Sequence, residues 1–325
     1  MMKKFGFVLL AVCLMAAVVA CGSGGTQAAA SAGPASPLVG NASEEYYMVS
    51  FLSGIDYWKI CFQGMQDAAK LYGVTAQYTG QIDADAAGQV AVLEQVIAKK
   101  PKGITITAVD TNALADTINS AVNQGIAVVT FDSDSPTSKR ASYISTGNEA
   151  AGIAAAQFLA PQVGNKGRIA VVYTVGSENQ ETRVAGFSNW IKANAPAIRL
   201  TIVNDGGDTT KAADNAAAAL QANNDIVAVF CVSGISGSVV PTAVKESGRK
   251  GVKILTFDVD RAVLDMLKAG DIDGTVAQGQ YNMGYWSQVF LYHLAHNLPA
   301  KALPGFLDTG VTIVTKEHAD EYYVK

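Results

Sequence analysis

The hydrophobic pattern alternates regularly from Tyr46 onward, with short runs rich in Val and Ile separated by amphipathic segments of helical length. The short runs are almost wholly apolar, as expected for parallel strands that helices cover on both faces. The pattern predicts strands at 48–52, 74–78, 103–107, 126–131, 168–173, 199–203, 226–231, 252–257 and 275–278, and helices at 57–72, 85–100, 112–124, 148–163, 180–193, 210–222, 238–247, 261–268 and 282–296. This order predicts an α/β protein built from doubly wound parallel sheets.

An internal echo divides this pattern into two halves. The segment Val128–Asp134 is an apolar strand that ends in Thr-Phe-Asp, and the segment Ile254–Asp260 has the same form. Because each copy lies inside its own series of strands and helices, the repeat predicts two similar α/β lobes. The chain length of 325 residues is enough for each lobe to bury a core of its own.

The first residues have a different pattern. Lys3 and Lys4 precede an uncharged apolar run, Phe5–Ala20, which is short for a membrane-spanning helix and typical of an export signal. A small residue before Cys21 resembles the lipobox of bacterial lipoproteins, and this resemblance implies cleavage after residue 20 and acylation of the Cys21 thiol. The alternative is an ordinary signal peptide that contains a cysteine. Residues 21–45, rich in Gly, Ala, Ser and Thr, are expected to form a flexible tether.

Composition and charge exclude several classes of function. The chain has 24 Lys and Arg against 28 Asp and Glu, so it lacks the basic excess that binding to nucleic acid requires. Cys61 and Cys231 lie in different halves without zinc-site spacing, and we expect two buried free thiols, with a disulfide as the alternative. His293 and His296 have no neighbouring carboxylate ligands in the sequence, so neither a metal nor a cofactor is expected.

Two aspartates follow equivalent strands of the two halves. Asp132 and Asp258 come directly after apolar strands, where the carboxyl ends of parallel strands open into a crevice that binds ligands. If the lobes face each other, each contributes a carboxylate whose oxygens can accept hydrogen bonds from ligand hydroxyls. Helix capping is the alternative, and it is the interpretation we prefer for Asp260, which immediately precedes a predicted helix.

Other candidates lie at the same edge of the predicted sheets. Tyr57 and Trp58 follow the first strand, and flat aromatic rings match the apolar faces of a pyranose, although core packing is the alternative. Arg183 lies in the first turn of a predicted helix of the second half, and its planar guanidinium could bind adjacent hydroxyls and compensate the aspartates. An ordinary surface arginine is the alternative. Asp208 and Gln278 are further polar residues at strand ends.

These segments together resemble the ribose- and glucose-binding group of type I periplasmic binding proteins. The resemblance is carried by Tyr57-Trp58, Thr130–Pro136, Tyr143–Asn148, Arg183–Phe187, Thr256–Asp258, Val276–Gln278 and Asp308–Val311, and it covers residues 46–325. It implies a sugar clamp of two lobes joined by three hinge crossovers, near 145–148, 278–281 and 303–307. It also implies the lobe boundaries, with 46–146 and 280–305 in the N-terminal lobe and 147–279 and 306–325 in the C-terminal lobe.

The resemblance also implies site residues. The expected ligand contacts are Tyr57, Trp58, Asp132, Ser133, Asn179, Arg183, Asp208, Asp258 and Gln278. Ser133 replaces the arginine that ribose binders have after the first aspartate, which argues against ribose itself. Asp308–Val311 resembles the glucose-binding branch and favours a glucose-like aldose.

The function implied is that of an extracytoplasmic binding lipoprotein, anchored to the membrane by lipid alone. As a monomer, it would close on a monosaccharide and deliver it to an ABC permease. The alternative is a sensory co-receptor for a sugar or a furanosyl signal, which passes the closed state to a membrane kinase or chemoreceptor, because both roles use the same clamp. An enzyme is not expected: two aspartates across a cleft could serve a glycosidase, but no other catalytic arrangement accompanies them.

Overall fold

The computed structural model of the protein describes residues 39–83, 85–298 and 303–323. The strands are β1 Glu45–Ser50, β2 Thr75–Gly80, β3 Gly103–Ile106, β4 Ala127–Phe131, β5 Tyr143–Ser145, β6 Gly167–Tyr173, β7 Ile198–Asn204, β8 Ile226–Cys231, β9 Lys253–Phe257, β10 Gly274–Gln278, β11 Phe306–Asp308 and β12 Val311–Val314. The helices are α1 Asp56–Tyr72, α2 Ala86–Ala98, α3 Ala115–Asn123, α4 Asn148–Gln162, α5 Glu178–Asn194, α6 Thr209–Ala222, α7 Gly234–Gly237, α8 Val240–Glu246, α9 Arg261–Ala269 and α10 Gln280–Ala295, followed by a 3-10 helix, Lys316–Tyr322. The predicted alternation of strands and helices is confirmed.

The strands form two sheets with the same strand order. The first sheet runs β2-β1-β3-β4-β5-β11, and the second runs β7-β6-β8-β9-β10-β12. All pairs are parallel except the last pair of the second sheet, in which β12 is antiparallel to β10. The two α/β lobes predicted from the internal echo are therefore present, and β4 and β9, the two strands that end in Thr-Phe, hold the same place in their sheets.

The chain crosses between the lobes three times. The first crossing follows β5, the second follows β10, and the third lies at Thr309–Gly310 between β11 and β12. The first two lie where the sequence placed them. The third was expected at 303–307 and lies later, because Phe306–Asp308 pairs with β5 and extends the first sheet, whereas the predicted boundary assigned these residues to the second lobe.

The start of the folded chain also differs from the prediction. The predicted tether extends to residue 45, but Gly40 donates a backbone hydrogen bond to the Tyr72 carbonyl, 2.6 Å from N to O. The Thr75 hydroxyl likewise donates to the carbonyl of Ala42. The residues just before β1 therefore pack on the end of α1. The predicted export signal, Cys21 and most of the predicted tether lie outside the described residues.

Each lobe has one pair of helices in unusually close contact. In the first lobe, a Cβ on Gly284 of α10 would lie 1.7 Å from the Cys61 carbonyl oxygen of α1. In the second lobe, a Cβ on Gly152 of α4 would lie 1.9 Å from the Arg183 carbonyl oxygen of α5. Only glycine allows backbones to approach this closely. These contacts hold α1 and α5, the helices that follow the first strand of each lobe, at matching positions against their sheets.

The cores confirm the expectation for the cysteines. Cys61 and Cys231 are both fully buried and free. Burial raises the pKa of both thiols, so they pack as small apolar side chains. Within the described ranges, no helix has the length and apolar character needed to cross a membrane.

Candidate ligand-binding cleft

A cleft of about 680 Å³ lies between the two lobes at the carboxyl ends of their strands. The first lobe contributes Phe51, Gly54, Ile55, Asp56, Tyr57, Trp58 and Asp132, and the second contributes Asn179, Arg183, Ser233, Gly234, Ile235, Ser238, Asp258, Asp260 and Gln278. This is the crevice that the rule for doubly wound sheets predicts. Seven of the residues predicted from the sequence line it: Tyr57, Trp58, Asp132, Asn179, Arg183, Asp258 and Gln278.

Asp132 and Asp258 occupy the same strained position in the two lobes. Each is the first residue after its strand and each has a left-handed backbone, with φ of 59° at Asp132 and 71° at Asp258. This conformation is costly for residues other than glycine, but aspartate tolerates it better than most. Hydroxyl groups of the next strand in each sheet hold it, since Tyr143 and Thr275 donate to the carbonyl oxygens of Asp132 and Asp258, respectively. Both turns bring their carboxylates to the cleft.

The wall from the first lobe is aromatic. The Tyr57 hydroxyl donates to Asp132 Oδ1 at 2.7 Å, so the ring and the carboxylate act as one unit. Trp58 is only 3% exposed and packs edge-on against Tyr57 and Phe131. Trp58 therefore belongs both to the core and to the cleft wall, and the two interpretations of this residue are compatible.

The wall from the second lobe is a polar network around Arg183. Its side chain is 4% exposed, lies over the ring of Phe257, and donates to the Val232 carbonyl and to Gln278 Oε1, each at 3.1 Å. Gln278 Nε2 in turn donates to Asp258 Oδ1 at 2.6 Å. The other oxygen of Asp258 accepts the backbone N–H of Gly234. The guanidinium, the amide and the carboxylate therefore form one connected set.

Burial controls the ionisation of these groups. It raises the pKa of Asp258 to about 6, although the nearby Arg183 and the hydrogen bond from Gln278 act in the opposite direction. Burial also raises the pKa of Asp132, against the effects of Tyr57 and Arg183. It lowers the pKa of Arg183, which Asp258 and Asp132 help to keep charged. The cleft therefore holds one guanidinium between two carboxyl groups that ionise in a higher range than usual.

Two predicted site residues lie outside the cleft wall. The Ser133 hydroxyl donates to Asp132 Oδ2 at 3.2 Å, so this residue holds the carboxylate without lining the cleft itself. Asp208 caps helix α6, because its Oδ1 accepts the backbone N–H of Lys211 at 2.8 Å. Both residues follow strands, but their side chains turn to local partners, and this choice is not visible in the sequence.

Other residues were missed or assigned differently. Ser233 and Gly234 line the cleft, and the only signal for them is that they follow β8 at the same edge of the sheet. Asp260 was expected to cap α9, but its side chain makes no capping hydrogen bond and lines the cleft instead. Burial raises the pKa of Asp260, and the Asp56 carboxylate in the other lobe adds to this effect.

The chemistry of the cleft suits a small polyhydroxylated ligand. Carboxylate oxygens accept hydrogen bonds from hydroxyl groups, the guanidinium donates to hydroxyl or ring oxygens, and aromatic side chains cover apolar C–H faces. In the part of the chain that the structure describes, no group of three or more His, Cys, Asp or Glu side chains could hold a metal ion. The fold and the cleft together define a two-lobed ligand-binding protein.

Comparison with known proteins agrees with this class. The family model described as "Periplasmic binding protein domain" matches residues 46–298, and the chain belongs to this family. It is 28% identical over 256 residues to the D-allose-binding periplasmic protein of Escherichia coli, a match that covers 75% of this chain and 82% of that protein. The family resemblance inferred from the sequence motifs is confirmed, and so is the expectation of a binding protein rather than an enzyme.

Solved structures show the same similarity. AraP, an arabinose binding protein from Geobacillus stearothermophilus, is 41% identical with a TM-score of 0.83, covering 86% of this chain and 99% of that one. A sugar ABC transporter (sugar-binding protein) from Bacillus halodurans is 40% identical with a TM-score of 0.83, covering 86% of this chain and all of that one, at 100%. The fold of two α/β lobes is therefore shared along nearly the whole length of these structures.

Proposed function

We propose that this protein captures a neutral monosaccharide between its lobes and delivers it to an ABC transporter. The observation that carries the proposal is the junction of two unlike walls in one cleft, an aromatic and carboxylate wall at Tyr57 and Asp132 and a guanidinium network at Arg183. A sugar has both apolar C–H faces and hydroxyl groups, so it satisfies both walls at once. The likeness to a transporter-associated sugar-binding structure supports delivery to an ABC permease.

Two observations differ on which sugar the cleft binds. The motif Asp308–Val311 favours a glucose-like aldose, as expected from the sequence. The 41% identity to an arabinose binding protein, over 86% of this chain, favours arabinose. We therefore propose arabinose as the first ligand to test, with glucose, allose, xylose and ribose beside it.

Capture requires the sugar to contact both lobes. A ligand shifts an open–closed equilibrium only by the difference between its affinities for the two states. Arg183 and Asp258 belong to the second lobe and Tyr57 and Asp132 to the first, so a sugar held by all four favours closure. The closed form is then the state that the permease recognises.

The test is a melting scan of residues 39–325 with each sugar of the panel. A ligand at 100 times its dissociation constant stabilises a protein by about 2.7 kcal/mol, which for this size raises Tm by roughly 5 °C. Asp258→Asn should remove most of the shift. Asp208→Asn is the matched control, because the residue caps α6 outside the cleft wall and asparagine is also a good cap. A flat response of the wild type to every sugar would refute the proposal.

We also propose that Cys21 anchors the protein outside the cytoplasm through a lipid. The support is the sequence before this residue, a charged start followed by an apolar run that ends in Ala-Cys. The wild type should fractionate with membranes and Cys21→Ser should not. Recovery of both forms in the same fraction would contradict the anchor.

A sensory role is the alternative for the closed form. The two roles differ in what is lost when the gene is deleted: loss of uptake of the bound sugar supports transport, whereas normal uptake with lost induction of sugar-responsive genes supports signalling.

A further inference from the structure

Two residues of the first crossover contact the binding network without lining the cleft. Asn148, the first residue of α4, accepts a hydrogen bond at its Oδ1 from Arg183 Nε, with a distance of 2.8 Å. Thr146, just before it, donates from its hydroxyl to Gln278 Oε1 at 2.8 Å. Neither is among the residues of the cleft wall. The segment that joins the lobes therefore contacts both the guanidinium and the amide expected to bind the sugar.

The contact from Asn148 orients Arg183. A guanidinium has five N–H donors, and protein acceptors take three of those of Arg183: Asn148 holds Nε, the Val232 carbonyl holds one N–H of Nη1 and Gln278 holds one N–H of Nη2. Among the described residues this leaves one N–H on each terminal nitrogen. With Nε held by Asn148, the plane of the guanidinium is fixed, so these two remaining donors have a defined direction.

The contact from Thr146 secures the amide of Gln278. A guanidinium can only donate and a carboxylate can only accept, so Gln278 must turn its oxygen to Arg183 and its nitrogen to Asp258. The Thr146 hydroxyl adds a second donor to the same oxygen. Thr146 and Gln278 hold equivalent places in the two lobes, each two residues before the helix that follows its crossover, and they meet across the crossovers.

The close packing of α4 and α5 explains why Asn148 reaches Arg183. Gly152, one turn after Asn148, lies directly against the Arg183 carbonyl, where a Cβ would be 1.9 Å from the oxygen. Gly186, three residues after Arg183, packs against the carbonyl of Glu149 in the same way. The two glycines bring the helix backbones together, and the side chains of Asn148 and Arg183 meet at the start of this contact.

We propose that Asn148 and Thr146 are positioning residues, which set the direction of the Arg183 and Gln278 donors and link it to the conformation of the first crossover. This inference rests on the proposed function but concerns residues that do not touch the sugar. Its consequence is that removing the acceptor of Asn148 lowers sugar affinity without removing any sugar contact. Asn148→Leu removes a hydrogen bond to a charged group, so we expect it to raise Kd about tenfold or more. Thr146→Val removes a hydrogen bond to a neutral amide, so we expect it to raise Kd about threefold.

The test compares these variants with conservative ones, using calorimetric titration with L-arabinose and with D-glucose. Asn148→Asp keeps the acceptor oxygen and should restore most of the affinity, as Thr146→Ser should for Thr146→Val. The matched control is Thr105→Val, a buried threonine of the first lobe that donates to Ser287 away from the cleft, and it should leave Kd unchanged. Unchanged affinity in Asn148→Leu would overturn the proposal, and so would equal losses in Asn148→Leu and Asn148→Asp.

A second readout needs no sugar. In ¹⁵N-labelled protein without ligand, the Arg183 Nε–H should be protected from exchange in the wild type and in Asn148→Asp, and should exchange quickly in Asn148→Leu. Equal protection in all three overturns the positioning role even if Asn148→Leu is less stable. If the wild type binds no sugar but shows this pattern, the proposed function fails while the assignment of Asn148 stands.

Discussion

The two lobes have the same backbone arrangement but carry different side chains at equivalent positions. In both lobes, the helix that follows the first strand packs closely against a second helix, and each of the two helices has a glycine at the contact. On the first helix of each pair this glycine is Gly64 of α1 or Gly186 of α5, and these two residues correspond. Counting back three residues from each glycine leads to Cys61 in the first lobe and to Arg183 in the second. Cys61 is fully buried and Arg183 is 4% exposed. Equivalent buried positions thus hold a small apolar side chain in one lobe and the central charge of the cleft in the other.

The same correspondence pairs Tyr57 with Asn179, each the second residue of its helix, and Asp132 with Asp258, each the first after its strand. One pair differs and the other is retained. The backbone arrangement thus places side chains at the cleft, whereas the identities of a few side chains make one wall aromatic and the other polar.

The largest effect is expected at the pair Arg183 and Cys61. Arg183→Ala removes the guanidinium that donates to Gln278 and whose charge lies near Asp258. Leaving a buried charge without compensation costs about 3 to 5 kcal/mol. We expect sugar affinity to fall by at least about 100-fold in calorimetry. Cys61→Ala should lower the free energy of unfolding by about 1 kcal/mol with no change in Kd. Equal losses of affinity in both variants would contradict the division of roles.

The next largest effect is expected at the glycine contacts that hold the helices at equivalent positions in the two lobes. Gly284→Ala and Gly152→Ala each push a Cβ into a backbone oxygen, at 1.7 Å from Cys61 and 1.9 Å from Arg183. Overpacking of this kind costs about 3 kcal/mol, and we expect both variants to lose a similar amount in urea unfolding. Full stability of either variant would show that the two helix contacts are not equivalent.

The pH dependence of binding separates the two retained aspartates. Because burial raises the pKa of Asp258 to about 6, its carboxyl is neutral below that pH and offers one acceptor fewer. We expect Kd to rise by up to about tenfold for each unit of pH below 6. The sign for stability without sugar is opposite: between pH 3.8 and about 6 the folded protein binds more protons at Asp258 than the unfolded chain does, so this contribution to stability falls as pH rises.

The control for this prediction is the pair of variants Asp258→Asn and Asp132→Asn. Asp258→Asn should remove the step in affinity near pH 6, and Asp132→Asn should retain it at a weaker overall affinity. A step that survives in Asp258→Asn would have to be assigned to another group.

The smallest effect is expected at Tyr57, where the ring and the hydroxyl can be separated. Tyr57→Phe removes only the hydrogen bond to Asp132, worth about 1 kcal/mol, so Kd should rise about fivefold. Tyr57→Ala also removes the ring and should weaken binding further. If both substitutions have the same effect, the aromatic face does not contribute and the first wall acts through its carboxylate alone.

Much of the cleft could be predicted from the sequence because strand ends are visible in it. Asp132, Asp258 and Gln278 directly follow apolar runs, and the ends of parallel strands share one edge of a sheet. Arg183 and Tyr57 were located in the same way, at the starts of helices that follow strands. These assignments needed only the order of strands and helices.

The positions of other side chains could not be predicted, because they depend on which way each side chain turns. Asp258 directly follows β9, whereas Asp208 lies four residues after the end of β7, where its carboxylate accepts the N–H of Lys211 and caps α6. Asp260 precedes a helix as a cap should, but it faces the cleft. At such positions a side chain can either form a hydrogen bond to a neighbouring residue or contact a distant segment. The sequence shows the neighbouring partners but not the distant ones.

The α/β alternation, the internal repeat and the strand-end residues of the cleft can be read from the amino-acid sequence, since these features depend on patterns within short stretches of chain. Three features become visible only in the folded chain: Phe306–Asp308 completes the first sheet, the third crossover lies at Thr309–Gly310, and Asn148 accepts a hydrogen bond from Arg183. Each of these joins segments far apart in the chain. The physical reason is that close contacts between distant backbones, such as that of Gly152 with Arg183, arise only when whole helices have packed together.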